Sequence, residues 1–496
     1  MRLRDLVRPL GEVVVHGDLD REITGLTDDS RRVSPGGLFV AVKGTQSDGH
    51  RYLGQAVSAG AGALVVEAGC APAGTLDALG VPIIEVRDSR HVLGVLASRL
   101  LGDPSHRLKV IGVTGTNGKT TTTYLCKSVL EAAGARVGLV GTVAYLIGSE
   151  RIEATHTTPG AVELQGLFKK MADAASDAAV MEVSSHALAL DRTAGCEFGT
   201  AVFTNLTQDH LDFHADMEDY FQAKLRLFAG LGPEGRAIVN LDDPHGARVA
   251  EATRARVWTY AVDQPADLRA GDVRISLEGL RFTAQTPAGA VALRSPLVGR
   301  HNVYNILAAV GVGLEQGIAL PTIAAGIAAL TNVPGRFERV EAGQSFTVVV
   351  DYAHTEDALF RLLTTAEAVK TGRIITVFGC GGDRDRGKRP KMGRVSAVYS
   401  DVVVVTSDNP RTEDPEAIIS EIIPGVQAGL REAGRGRYVV QADRRAAIEE
   451  AVRMAQPGDL VLLAGKGHEN YQIIGTNKHP FDDRVVAREA IEALTR

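Results

Sequence analysis

The stretch Gly112-Val113-Thr114-Gly115-Thr116-Asn117-Gly118-Lys119-Thr120-Thr121 concentrates more chemistry than any other in the chain. It follows an apolar run, Leu108–Val113, and precedes a helical pattern with Leu125, Val129 and Leu130 on one face that ends at Gly134. Strand, glycine loop, Lys-Thr and helix are the parts of a phosphate-binding loop. Its backbone N–H groups and the helix N-terminus present positive potential to phosphate oxygens. Lys119 would then reach the β- and γ-phosphates, and the Thr120 hydroxyl would ligate Mg²⁺. The longer form G-x-x-x-x-G-K-[ST] is not met, because Val113 stands at its first glycine. A chance glycine turn is the plainer alternative, but a lysine followed by four threonines is poor core material.

Further reactive groups sit at the ends of later apolar runs. Ala178–Val183 is apolar apart from Glu182, and Ser184-Ser185-His186 follows. A carboxylate ending a parallel strand near a phosphate loop is a natural Mg²⁺ ligand, against the alternative of a hydrogen-bonded strand-end glutamate. Ala201–Phe203 leads into Thr204-Asn205-Leu206-Thr207-Gln208-Asp209-His210-Leu211-Asp212. That polar cluster leaves a strand end, where ligands sit in open α/β sheets. Taken alone, His210 is more often a packed loop histidine than a ligand. Lys224 shares the apolar face of Tyr220 and Phe221 on the helical pattern Met217–Phe228. Spacing by itself favours a snorkelling lysine. The sharper alternative is a partly buried amine that is neutral often enough to react.

Such groups act together only if several strands end side by side, and short Val/Ile/Leu runs alternating with helical patterns provide for that. The 496 residues correspond to about three domains. An N-terminal α/β block, 1–104, holds the runs Leu38–Val42, Ala63–Val66 and Ile83–Val86. A central P-loop ATPase-like α/β block, 105–335, includes a β-rich stretch from Val257 to Val298. A C-terminal block, 336–496, has strand candidates Phe346–Val350, Ile374–Phe378, Val402–Thr406, Tyr438–Val440 and Leu460–Ala464, a Rossmann-like doubly wound pattern. Apolar residues at 45% and charged residues at 23% exclude a disordered chain or a coiled coil. The net charge of −6 argues against a nucleic-acid or membrane surface. Four scattered cysteines offer neither a disulfide framework nor zinc spacing. With no apolar leader in Met1–Leu10 and no membrane-length run, a cytoplasmic protein is expected.

Together the motifs resemble the Mur ligase family, ATP-dependent amide-forming enzymes of peptidoglycan precursor synthesis. Gly115–Thr121 matches that family's shortened phosphate loop, which accounts for Val113. The stretches Met181–His186, Thr204–Asp212, His301-Asn302…Asn305, Pro334-Gly335-Arg336-Phe337-Glu338 and Asp351-Tyr352-Ala353-His354 look like its signatures. Asp29-Ser30-Arg31, Pro35–Ala41 and Asp48-Gly49-His50 resemble the UDP-binding domain of its third-amino-acid branch. Glu356 stands where the family usually has proline; either residue suits the first turn of a helix.

The resemblance implies a reaction in which ATP phosphorylates the D-glutamate side chain of UDP-MurNAc-L-Ala-D-Glu and an amino acid displaces phosphate. It places ATP on Gly115, Thr116, Asn117, Gly118, Lys119, Thr120, Thr121, Asn302, Asn305, Arg336, Asp351 and His354. One Mg²⁺ falls near Thr120 and Glu182, and a second near His210 and a Lys224 carbamylated by CO₂. Lys119, Glu182, His210 and Lys224 are thus the catalytic set. The UDP substrate falls to Ser30, Thr45, Gln46, Ser47, Thr157, Thr158, Ser184 and Arg192. Asp408-Asn409-Pro410-Arg411 looks like the signature of enzymes adding meso-diaminopimelate, with Arg384, Gly465 and Glu469 as further contacts. A guanidinium suits the carboxylate that distinguishes this amino acid from lysine. The alternative for Arg411 is a surface pair with Glu413. Small-molecule substrates, no nucleic acid, no membrane span and a monomer complete the expectation. Rival readings are an L-lysine-adding ligase, a folylpolyglutamate synthetase-type sibling and an ATP-hydrolysing switch or motor. A dehydrogenase fails at Gly379-Cys380-Gly381-Gly382, where Arg384 replaces the third glycine of the dinucleotide fingerprint.

Overall fold

Most of the apolar runs form buried parallel strands, as expected for sheets covered by helices on both faces. The computed structural model describes residues 1–11, 13–44, 47–70 and 79–494. They fall into two compact units, Met1–Thr259 and Tyr260–Arg496. In the first unit, β1 (Val14–His16), β2 (Leu26–Thr27), β3 (Leu38–Val40), β4 (Ala63–Glu67) and β5 (Ile83–Val86) form a sheet in the order β1-β5-β4-β3-β2. All its pairs are parallel except β1 with β5.

The same unit contains β6 (Lys109–Thr114), β7 (Val137–Val140), β8 (Tyr145–Ile147), β9 (Glu150–Ile152), β10 (Ala178–Glu182), β11 (Thr200–Phe203) and β12 (Arg236–Asn240). They lie in the order β12-β11-β6-β10-β7-β8-β9, with the five from β12 to β7 parallel. Val113 pairs with Glu182 and Thr114 with Phe203, so three functional loops leave one sheet edge at one level. The core beneath includes Val110, Met181, Phe203 and Phe228, all at most 1% exposed.

β13 (Arg256–Ala261) carries the chain into the second unit. There β14 (Leu268–Ser276), β15 (Gly279–Thr286) and β16 (Gly289–Ser295) make an antiparallel meander, the expected β-rich stretch. A second sheet has β17 (Glu338–Val340), β18 (Thr347–Asp351), β19 (Ile374–Phe378), β20 (Val402–Val405), β21 (Arg437–Val440) and β22 (Leu460–Ala464), in the order β17-β18-β22-β19-β20-β21. It is doubly wound and parallel apart from β17. Strands β1, β2, β17 and the hairpin Tyr471–Ile474/Asn477–Pro480 escape the sequence pattern because they are short and edge-like, or exposed. Thr355 caps the helix Glu356–Val369, placing Glu356 in its first turn as expected.

One buried ion pair anchors the carboxyl edge of this sheet. Arg444 and Asp483 have fully buried side chains, joined at 2.8 Å and 2.6 Å. The guanidinium also donates to the carbonyls of Ser407 and Ala464, the residues before Asp408 and Gly465. Removing one partner of such a pair strands a buried charge and costs about 3–5 kcal/mol. Asp483→Ala is expected to lower the free energy of urea unfolding by that order, seen as a lower midpoint, and an unchanged midpoint would contradict it.

Candidate active site

The phosphate loop hangs on the segment after β11. Gly115 has φ +144°, and a Cβ there would lie 1.9 Å from Thr204 Oγ1 and 2.9 Å from the Asn205 carbonyl, so only glycine fits. The Thr116 N–H donates to the Asn205 carbonyl at 2.8 Å and the Asn117 N–H to Asn205 Oδ1 at 3.0 Å. Thr204 Oγ1 donates to the Asn117 carbonyl at 2.6 Å. Gly118, φ +87°, opens the helix Lys119–Ala132. Lys119 Nζ curls back onto the carbonyls of Gly115 and Thr116, each at 2.8 Å. Thr120–Thr123 are all buried, contrary to the expectation that such a run avoids the core. The helix makes this possible by using its own carbonyls: Thr123 Oγ1 donates to Thr120 O at 2.8 Å.

Glu182 is 1% exposed and accepts hydrogen bonds from Thr120 Oγ1 at 3.0 Å, the Thr142 N–H at 2.8 Å and Thr142 Oγ1 at 3.0 Å. It is therefore both well satisfied and beside the loop threonine. Thr142 was missed by sequence reasoning; its signal is a position just past β7, which pairs with β10. Hydroxyl and carboxylate are hard oxygen donors of the kind Mg²⁺ takes. Among the described residues no three His, Cys, Asp or Glu side chains gather as a metal site. A cation here would complete its shell with substrate phosphates and water, as Mg²⁺ commonly does.

Lys224 does not snorkel. It is 2% exposed, lies 4.4 Å from the Tyr220 ring centroid and donates to Gly115 O at 2.9 Å. The helix Met217–Ala229 turns its apolar face inward, and the amine follows because the loop carbonyl receives it. Burial pushes this ammonium well below its ordinary range, Lys119 adds to the effect, and Asp209 opposes it. His210, in the left-handed region at φ +56°, is pushed down by burial and by Lys119 and Lys224, against Asp209 and Asp212. Its ring meets His186 edge-on at 4.8 Å between centroids, and His186 also stacks on Phe213. Burial and the neighbouring histidines lower His186 to about 4. His186 stands in a quoted motif yet received no role; ring contact with His210 is what its spacing could not reveal.

Thr157, Thr158, Ser184 and Arg192 come together at the same edge. Thr158 Oγ1 donates to Glu182 O at 2.8 Å, the Ser184 N–H donates to Thr158 Oγ1 at 3.0 Å, and Arg192 Nη1 donates to Thr158 O at 3.0 Å. Thr157 Oγ1 lies 3.0 Å from Thr142 Oγ1. Ser30 and Ser47 are not hydrogen-bonded to that group among the described residues: they bond Gln55 and Tyr52. Thr45 and Gln46 lie outside the described residues. A cavity of about 820 Å³ opens at the carboxyl ends of β4 and β5 and reaches Ala189 and Asp191, just before Arg192. Lys43, Arg87, Arg90 and Arg226 line it together with Glu67, Asp88 and Asp191, a mixed-charge wall with a cationic excess that no motif announced.

In the second unit, Arg336 lies over the Tyr352 ring at 4.7 Å, and Asp351 accepts the N–H groups of Phe337 and Ala353 at 2.7 and 2.9 Å. Burial raises the Asp351 carboxyl, with Arg336 opposing. His354 Nδ1 approaches the Tyr352 carbonyl at 2.9 Å. Asn302 and Asn305 are bonded to each other at 2.9 Å on the helix Arg300–Glu315, both buried. The turn bearing Arg336 presses on the loop after β22: a Cβ on Gly335 would meet the His468 nitrogen at 2.2 Å, and one on Gly467 would meet Tyr352 Cβ at 2.6 Å.

Asp408, Asn409, Gly465 and Glu469 form one cluster. A Cβ on Gly465 would lie 2.5 Å from Asp408 Oδ2, and Asn409 Nδ2 donates to Glu469 Oε2 at 2.9 Å. Lys466, fully buried and not singled out from the sequence, donates to Glu469 at 3.0 Å and Asn409 Oδ1 at 3.3 Å. Arg411 does not pair with Glu413. Its Nη1 donates to Gly382 O at 2.8 Å, while Glu413 is taken by Arg389. Arg384 is exposed and bonds only locally, to Asp383 O.

Residues 22–100 match the family described as "Mur ligase family, catalytic domain", 113–313 the "Mur ligase middle domain", and 335–467 the "Mur ligase, glutamate ligase domain". The UDP-N-acetylmuramoyl-L-alanyl-D-glutamate--2,6-diaminopimelate ligase of Geobacter metallireducens is 48% identical, over 100% of this chain and 99% of that protein. The chain belongs to the Mur ligase family. The like-named ligase of Gloeobacter violaceus is 50% identical over 99% of this chain and 98% of its own. A solved structure of a ligase with that name superposes with a TM-score of 0.72 at 34% identity, covering 100% of this chain and 99% of that one. The three Mur ligase domains thus lie in order on an α/β framework.

Within this Mur ligase the phosphate loop depends on the absence of a side chain at residue 115. Gly115→Ala adds a left-handed backbone cost of about 1–3 kcal/mol and pushes Thr204 away. Titration calorimetry with a non-hydrolysable ATP analogue is expected to show at least about tenfold weaker binding, the equivalent of 1.4 kcal/mol. Unchanged affinity would remove the Thr204–Asn205 support from the account.

Proposed function

We propose that this chain joins meso-diaminopimelate to UDP-MurNAc-L-Ala-D-Glu at the expense of ATP, in peptidoglycan precursor synthesis. The observation that carries the choice of amino acid is the Asp408–Arg411 turn, packed on the loop of Arg384 beside the Asn409–Glu469 pair. It stands in a chain similar along its whole length to ligases named for that amino acid. A Cβ on Gly381 would lie 2.9 Å from Arg411 Nη1 and 3.8 Å from Arg384 Cγ, so both arginines flank one point.

The residues divide the work by chemistry. A carboxylate is a poor electrophile, so the D-glutamate side chain first takes the γ-phosphoryl group of ATP. Lys119, the Gly115–Thr121 backbone N–H groups and the helix N-terminus hold the phosphates and offset charge as it moves. Asn302, Asn305, Arg336, Asp351 and His354 hold adenine and ribose. Ser30, Thr45, Gln46, Ser47, Thr157, Thr158, Ser184 and Arg192 hold the UDP substrate, and the cationic excess of the cavity offers its diphosphate a counter-charge. The diaminopimelate α-amine then attacks the acyl phosphate, forming the amide and releasing phosphate. Arg384 and Arg411 grip the distal carboxylate; Asp408, Asn409, Pro410, Gly465 and Glu469 shape the pocket around the distal amine.

Thr120 and Glu182 fit one Mg²⁺, and His210 with a carbamylated Lys224 fits a second. When bound, these ions supply positive charge to the phosphate oxygens. The Lys224 environment suits carbamylation: a neutral amine plus CO₂ gives a carbamate anion and a proton, and burial keeps the amine neutral. We place the functional divisions at 104/105 and 335/336 and take the enzyme to be a cytoplasmic monomer. No described helix is long and apolar enough to cross a membrane.

Phosphate release with UDP-MurNAc-L-Ala-D-Glu and a panel of diamino acids tests the assignment. Two charge-assisted contacts of roughly 1.5–3 kcal/mol each give meso-diaminopimelate an advantage over L-lysine on the order of 10³-fold in kcat/KM, the middle of the range they span. Arg411→Ala is expected to lose most of it, and equal use of the two amino acids by the unmodified enzyme would overturn the assignment. For Lys224, ¹³C-bicarbonate NMR of the active enzyme is expected to show a carbamate resonance that Lys224→Ala lacks. A bare amine in the turning-over enzyme would dismiss it.

A further inference from the structure

Two loops of the second unit are clasped together by bonds that no motif explains. The loop after β19, Gly381–Asp385, carries Arg384; the loop after β20, Asp408–Glu413, carries Arg411. The Gly382 N–H donates to Asn409 O at 2.9 Å, and a Cβ on Gly382 would lie 1.9 Å from Pro410 O. Thr412 Oγ1 lies 2.8 Å and 3.0 Å from the two Asp383 carboxylate oxygens. Glu413 Oε1 accepts the Asp383 N–H at 2.6 Å and Arg389 Nη2 at 2.8 Å, and Oε2 accepts Arg389 Nη1 at 3.0 Å.

Arg389 is fully buried and forks between Glu413 and Glu421, with Gly381 O as a further acceptor at 3.3 Å. Asp383 and Arg411 both hold left-handed backbones, φ +53° and +51°. Such conformations persist where surrounding bonds over-determine them, and they gather at functional sites. A buried bidentate guanidinium is also the most directional ion pair a protein builds. Placed here, it fixes one loop relative to the other rather than either loop alone.

We infer that Glu413, held by Arg389, is a positioning residue that sets the spacing of Arg384 and Arg411 and thereby the choice of amino acid. This rests on the proposed assignment of those two arginines to the incoming amino acid. Neither Glu413 nor Arg389 touches substrate. They act by keeping two guanidiniums at the separation one carboxylate requires, so loosening the clasp costs affinity for diaminopimelate and spares the phosphoryl-transfer step.

The test compares unmodified enzyme with Glu413→Gln and, separately, Thr412→Val, which cuts the Thr412–Asp383 bonds. Phosphate release is measured with meso-diaminopimelate and with L-lysine, and thermal melting reports folding. Glu413→Gln is expected to raise KM for meso-diaminopimelate about tenfold, the lower end for one lost charged hydrogen bond, with kcat and the KM for ATP nearly unchanged. Its preference over L-lysine falls in proportion, and Thr412→Val shifts the same quantities less. If the unmodified enzyme shows no preference, the arginine assignment itself fails. If it shows one and Glu413→Gln keeps both KM and preference, the clasp has no part in selection. A loss spread equally over kcat and all KM values marks a purely structural role and also overturns the inference. Should Glu413→Gln melt before assay, an unchanged preference in Thr412→Val overturns it instead.

Discussion

The carbonyl oxygen of Gly115 receives two amines, Lys119 Nζ at 2.8 Å and Lys224 Nζ at 2.9 Å. Much of the first unit's site follows from that crowding. Like charges gathered on one oxygen repel, and the more so the less water screens them. Burial is the larger force pushing Lys224 toward neutrality, and the Lys119 charge adds to it. The same carbonyl belongs to the Gly115 backbone at φ +144°, which lies against Thr204 and Asn205. Those residues belong to the segment after β11, whose pairing with β6 fixes their height.

Parallel pairing then collects the remaining groups. Because Val113 pairs with Glu182 and Thr114 with Phe203, a phosphate loop, a carboxylate and a polar segment separated by dozens of residues end at one level. This is the usual place for ligands in open α/β sheets. The second unit repeats the plan, with Asp351 ending β18 and the Gly379–Asp385 loop, Asp408 and Gly465 following β19, β20 and β22. There the buried Arg444–Asp483 pair stiffens the edge by gripping the carbonyls of Ser407 and Ala464.

The central strands and the chemistry at their ends were legible in the residue order because both leave local marks. Apolar runs of strand length mark β6, β10, β19, β20 and β22, and Lys119, Glu182 and Asp408 stand directly after or at the end of such runs. Edge strands such as β1 and β17 leave no such mark, because a short half-exposed strand has no apolar run. Lys224 was ambiguous for a different reason. Helical spacing shows which face a lysine shares but not whether its amine reaches solvent, and the decisive acceptor, Gly115 O, lies 109 residues away. Arg389 and Thr142 were missed on the same ground, since their partners Glu413, Glu421 and Glu182 come from other segments. Thr120–Thr123 misled because a buried hydroxyl can find an acceptor, Thr123 on a carbonyl one turn back and Thr120 on Glu182.

The close approach of Gly335 and Gly467 to their neighbours bears on how such an enzyme changes over generations. A side chain at residue 335 needs the Gly467–His468 loop to retreat, and one at residue 467 needs Tyr352 to move, so the turn behind Arg336, Tyr352 and the loop of Glu469 form a lineage-locked set. Drift at either position is closed off one residue at a time, and substitutions on the two sides will be strongly epistatic.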